Sequence, residues 1–155
     1  MTTAEYTAWT QPNDANALGT LFGGKLMQWV DLAAALAASR HARAPVVTAS
    51  VDYMTFLRPV HIGQLVLLKS TVNRVFKTSM EVGVKVWVED MRTGETAHVS
   101  SAYLTFVAID VAGKRVALPQ AVPETDIEKR RWEHAGERRE YRLQLRQRAL
   151  DREKG

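Results

Sequence analysis

One segment limits the possible folds more than any other. Residues 25–42 contain no Gly or Pro and are dense in Ala and Leu, a composition that favours helix. Pro45 closes this helix from beyond its end. From Val46 onward the texture changes. Residues 46–57, 65–76, 78–89 and 95–109 are enriched in Val, Thr, Ile, Tyr and Phe, as strands are. Within residues 80–89 apolar side chains alternate with others, the period of a half-buried antiparallel strand. Residues 4–10 read as a further, short first strand. Turns fall at 59–63, at Lys77 and at 90–94. One helix cannot cover both faces of such a sheet. The chain therefore reads as α+β, a sheet wrapped around one long helix that finishes its burial against a second subunit.

Composition narrows the chemistry. The 155 residues are 46% hydrophobic and 25% charged, as expected for one folded domain. There is no cysteine, so disulfides, thiolate metal sites and a catalytic thiol are excluded. No spacing of the four histidines resembles a metal site. The first residues lack the basic-then-apolar pattern of a signal peptide, and no apolar run reaches bilayer length. The expectation is a cytoplasmic protein that does not enter the membrane. Net charge is +4, but much of it lies in the mixed-sign segment 124–154, which disfavours nucleic-acid binding. That segment, preceded by Pro123, reads as a solvated or loosely docked helix, with an oligomer contact as the alternative.

Asp31 is the most informative residue. It is the sole carboxylate between Asp14 and Asp52, and Met27, Val30 and Ala34 surround it on the helix. A carboxylate so placed is solvated in a cleft, paired, or functional, and near an electrophile it acts as general base or nucleophile. Gly23 and Gly24 open the helix, where backbone N–H groups lack partners and carry partial positive charge. Glycine there admits a ligand carbonyl close to the backbone, an oxyanion-stabilising arrangement. Asp31 lies about 10 Å along the helix axis from that site, too far to act on the same carbonyl within one chain. Asn16, in the preceding turn-rich loop, is either an ordinary turn former or an amide that positions water or substrate.

The string Asn16-Ala17-Leu18-Gly19-Thr20-Leu21-Phe22-Gly23-Gly24-Lys25-Leu26-Met27, followed by Asp31, resembles the signature of hot-dog acyl-CoA thioesterases of the YciA and brain acyl-CoA hydrolase type. Val47-Thr48-Ala49-Ser50-Val51-Asp52, Phe56-Leu57-Arg58-Pro59-Val60, Thr78-Ser79-Met80-Glu81-Val82 and Phe106-Val107-Ala108-Ile109-Asp110 fit the same family, in order. One departure is the turn before Thr78, which often carries glycine in similar proteins and here reads Phe76-Lys77.

The resemblance implies a hot-dog fold, a long central helix wrapped by five or six antiparallel strands, over residues 1–123. Residues 124–155 form a charged helical extension. It implies hydrolysis of acyl-CoA to a fatty acid and coenzyme A, with self-association into a dimer and a trimer of dimers. Asp31 and Asn16 would come from opposite subunits, which removes the distance problem. The Gly24 amide would polarise the thioester carbonyl, and Asp31 would activate water or attack directly. Coenzyme A, as part of the substrate, would lie near Gly23, Arg58, Lys77, Thr78 and Ser79. Neither a metal nor a separate cofactor is implied. The competing reading is a non-catalytic acyl-CoA-sensing module. A hot-dog dehydratase is unsupported, because this chain shows no Asp/His pair at the helix entry.

Overall fold

A computed structural model describes residues 1–155. The chain order is β1 (Thr3–Trp9), a 3-10 turn at Pro12–Asp14, α1 (Gly23–Ala42), β2 (Val46–Val51), β3 (Leu65–Val75), β4 (Ser79–Glu89), β5 (Thr96–Ala108) and α2 (Asp126–Glu153). The strands form one antiparallel sheet in the order β1-β3-β4-β5-β2. This is the hot-dog fold, with five strands and α1 lying in the curl of the sheet. No helix is long and apolar enough to cross a membrane.

Small residues let α1 sit close to the sheet. Ala33, Ala34, Ala37 and Ala38 are fully buried and share one core with Val66, Leu68, Met80, Val82 and Phe106. Ser70, on β3, donates its hydroxyl to the Ala33 carbonyl at 2.7 Å, a contact that a larger side chain at the interface would push apart. The helix ends at Arg43, whose φ of 50° is left-handed and whose N–H returns to the Ser39 carbonyl. It begins two residues earlier than composition indicates, because Gly23 and Gly24 take up its first turn.

The largest departure from the sequence reading is β2. Its ladder stops at Val51 instead of running to residue 57. A register shift between Thr48 and Ser50 bends the strand, and residues 52–57 follow β5 by isolated hydrogen bonds, Asp52 N–H to the Tyr103 carbonyl and Leu57 N–H to that of Val99. The other strands differ from their expected bounds by one residue at an end, as hydrogen-bonded termini commonly do.

The second helix is anchored more firmly than its charge suggests. Thr125 caps it, with its hydroxyl accepting from the Glu128 N–H and Glu128 accepting from the Thr125 N–H. Alternate residues of β4 turn away from α1, and among them Glu81 is fully buried under α2. Arg138 clasps Glu81 with two hydrogen bonds of 3.0 and 2.7 Å, Asn73 adds a third at 3.0 Å, and Arg142 pairs with Asp52 at 2.7 Å. Arg74 lies 3.4 Å from the centre of the Trp132 ring, in space left by Gly136. Beyond Arg142 the helix is exposed.

Candidate active site

Asp31 sits on α1 beneath the edge strand β2. Thr48 donates its hydroxyl to Asp31 Oδ1 at 2.7 Å, while no group of the chain bonds Oδ2. The carboxylate is half-buried and held in one orientation with a free oxygen. Thr48 stands inside a segment that carries the family resemblance, yet nothing in the linear order gives its hydroxyl a purpose. That appears only when β2 folds back along α1.

Asn16 belongs to a rigid turn. Its Oδ1 accepts from the Leu18 and Thr20 N–H groups at 2.9 and 3.1 Å, and its Nδ2 donates to Thr20 Oγ1 at 2.9 Å. Gly19, with φ of 76°, closes the loop. A primary amide has two N–H bonds, so one donor of Asn16 stays available. From this turn the chain enters α1. Lys25 and Leu26 N–H groups bond the Phe22 carbonyl, and those of Gly23 and Gly24 precede the first intrahelical bond. No side chain caps the helix, so these two donors sit at its positive end. Glycine at 24 has a second cause: a Cβ there would meet Phe22 Cε1 at 2.6 Å.

The sites proposed from sequence fall into two groups at opposite ends of β5. Thr20 bridges to His61 and Leu21 N–H bonds the Val60 carbonyl at 2.8 Å. Phe56 lies against Gly23, and Leu57 bonds Val99 at the start of β5. Asn16, Gly23, Gly24 and the exposed Arg58 therefore share one end. At the other end Thr48 pairs with Phe106 and Ser79 with Val107, which groups Asp31 and Thr48 with the turn Lys77-Thr78-Ser79. Val99 and Val107 are roughly 27 Å apart along an extended strand. One chain thus separates Arg58 from Lys77, and the helix end from Asp31.

Each half-site borders uncovered apolar surface. Phe22, Met27, Leu32, Val47, Val51 and Phe56 are exposed around β2 and along α1.

Residues 18–95 match the Thioesterase superfamily. The chain belongs to that family. It is 48% identical over 117 residues to the uncharacterised acyl-CoA thioester hydrolase YkhA of Bacillus subtilis, an alignment spanning 76% of this chain and 68% of that one. Among solved structures, the Staphylococcus aureus acyl-CoA hydrolase in complex with butyryl coenzyme A and coenzyme A superposes with a TM-score of 0.88 at 36% identity, over 96% of this chain and 91% of that one. A hexameric acyl-CoA thioesterase superposes with a TM-score of 0.88 at 40% identity, over 92% of each chain. The Staphylococcus enzyme has also been solved as three variants in which an asparagine, an aspartate or a threonine is replaced by alanine. The spacing between those three positions is that of Asn16, Asp31 and Thr48 in this member of the superfamily.

Proposed function

We propose that this thioesterase-superfamily chain hydrolyses acyl-CoA to a free fatty acid and coenzyme A, in a site assembled from two copies. The observation that carries the reading is the Thr48–Asp31 hydrogen bond, which leaves Asp31 Oδ2 free at the edge of an uncovered apolar surface. Several facts support it. Gly24 and Asp31 are about 10 Å apart along α1, which favours a partner chain for the second half of the site. The structural relatives act on acyl-CoA and include hexamers. Variants of a relative fall on an Asn, Asp and Thr spaced as Asn16, Asp31 and Thr48 are. We read residues 1–123 as the hot-dog unit and 124–155 as its extension, with the chains forming dimers and a trimer of dimers.

In this mechanism the thioester carbonyl lies at the Gly23–Gly24 end of one α1. The Gly24 N–H donates to its oxygen, and the helix end stabilises the negative charge that develops there. Asp31 of the facing chain approaches the carbonyl carbon. As a general base it takes a proton from water, whose oxygen then bonds to carbon; as a nucleophile its Oδ2 forms an anhydride that water opens afterwards. Either route breaks the C–S bond, and the thiolate of coenzyme A leaves and takes up a proton. Asn16 donates its remaining N–H to the water or carbonyl, Thr48 fixes the carboxylate, and Arg58, Lys77, Thr78 and Ser79 contact the coenzyme. Water is the only co-reactant.

The test is release of free thiol from a panel of acyl-CoAs by purified protein. Turnover that disappears in Asp31→Asn with the oligomer intact is the expected result. Folded wild-type protein that binds acyl-CoA and releases no thiol at any chain length would establish the sensing module instead.

A further inference from the structure

On the face of the sheet turned away from α1, a groove of about 960 Å³ runs between α2 and strands β2 and β5. Its volume suits a small-molecule ligand, for which sites span roughly 300–1,000 Å³. Five arginines line it, against one carboxylate, Asp52. Two of the five are already paired, Arg138 with Glu81 and Arg142 with Asp52. The remaining three, Arg115, Arg139 and Arg146, are exposed and have no carboxylate within ion-pair distance.

This grouping runs against what a solvated helix face prefers. Arg139, Arg142 and Arg146 recur at spacings of three and four, where like charges repel. The effect reaches Arg74 behind them, whose guanidinium is held below its ordinary range by burial first and by the charge of Arg139 second. Arg139 is also held in place, 4.6 Å from the centre of the Phe76 ring. Beside the unpaired guanidiniums the groove presents the exposed rings of Tyr53 and Tyr141. Planar guanidiniums match phosphate oxygens bidentately, and aromatic faces stack on nucleobases. The groove starts at Ala49, directly after Thr48, and reaches Ser79, so it borders both segments of the Asp31 half-site.

From these features we propose that the α2 groove binds a phosphorylated nucleoside, the nucleotide end of coenzyme A, with Arg139, Arg146 and Arg115 on the phosphates and Tyr53 or Tyr141 against the base. This rests on the thioesterase reading for its choice of ligand. A free nucleotide such as ADP carries the same chemistry, and binding measurements separate the two sources.

Calorimetric titration of the full-length protein with coenzyme A, pantetheine and ADP supplies the test, because it needs no turnover. The double variant Arg139→Ala/Arg146→Ala changes only exposed residues, and Arg92→Ala, on the β4–β5 turn, serves as the control. The double variant is expected to raise the Kd for coenzyme A at least about tenfold and leave that for pantetheine in place, with Arg92→Ala matching wild type. Loss of ADP binding with an unchanged Kd for coenzyme A also supports the groove and assigns it to a free nucleotide. Kd values for both coenzyme A and ADP within twofold of wild type in the double variant would overturn the proposal, as would absence of binding of both to wild type. If wild type releases no thiol yet its coenzyme A binding depends on Arg139 and Arg146, the catalytic reading fails and the groove stands.

Discussion

Thr48 Oγ1 donates to Asp31 Oδ1 across 2.7 Å, and this single bond ties the edge strand β2 to the middle of α1. It divides the labour of the carboxylate between an oxygen that is held and an oxygen that is free. Asp31→Asn keeps the shape and removes the carboxylate proposed as base or nucleophile, so kcat is expected to fall by about 10²–10⁴-fold. Thr48→Val keeps the volume and removes the donor, and a smaller loss in kcat, about tenfold, is expected with KM little changed. Steady-state thiol release on both variants checks this. A Thr48→Val enzyme with wild-type kcat would show that the bond does not serve catalysis.

Gly24→Ala places a methyl group where the Phe22 ring lies, 2.6 Å from Cε1. The ring must swing off the first turn of α1, into the space beside the two free N–H groups. We expect kcat/KM to drop by about tenfold, equivalent to ~1.4 kcal/mol of transition-state stabilisation. Phe22→Leu in the same background is expected to restore part of it by vacating that space. Equal kcat/KM in Gly24→Ala and wild type would show that the ring is not set against the backbone.

Glu81 is fully buried and takes its hydrogen bonds from Arg138 and Asn73, with Arg142 a second cation 3.5 Å from its Oε2. Arg138→Ala removes both guanidinium hydrogen bonds and leaves Arg142 as the remaining cation beside Glu81, so the expected loss lies below the about 3–5 kcal/mol of breaking a lone buried pair from one side. Pairing that change with Glu81→Gln is expected to recover much of the loss. Denaturant unfolding of both variants measures the difference. A single variant as stable as wild type would mean that α2 docks by other contacts.

Acid should loosen the start of α2. Glu128 is held down to about 2, chiefly by the Met1 ammonium and then by the N–H groups of Thr125 and Glu124. Its folded value lies below its ordinary 4.5, so the stability it contributes is present above about 4.5 and is lost as pH falls toward 2. Glu128→Gln is expected to remove this part of the acid dependence, read from unfolding midpoints across that interval. The pair lies at the protein surface, so the effect is modest and shrinks with added salt.

Much of the fold is legible in the sequence because its signals are local. The Ala- and Leu-rich run of α1, Pro45 beyond it, and the β-branched strands that follow each act over a few residues. The end of β2 is not legible, since residues 52–57 look strand-like and stop pairing only because a shift at Thr48–Ser50 turns them off the ladder. Asp31, Asn16 and Gly24 stand out by chemistry that conflicts with their surroundings. Thr48 does not, being one hydroxyl in a strand where threonine is common. The anchoring of α2 is hidden for a related reason. Glu81 looks like the polar member of an alternating strand, and only the arrival of Arg138 from 57 positions away makes it a buried ion.

The separation of Asn16 and Gly24 from Asp31 along β5 has a genetic counterpart. A chain disabled at Asp31 retains a sound helix entrance, and a chain disabled at Asn16 retains a sound carboxylate. Coexpressed, the two inactive proteins would exchange partners, and each mixed pair would contain one undamaged catalytic centre beside one doubly broken one. Random pairing makes half the dimers mixed, so about a quarter of wild-type activity should return from two parents that have almost none.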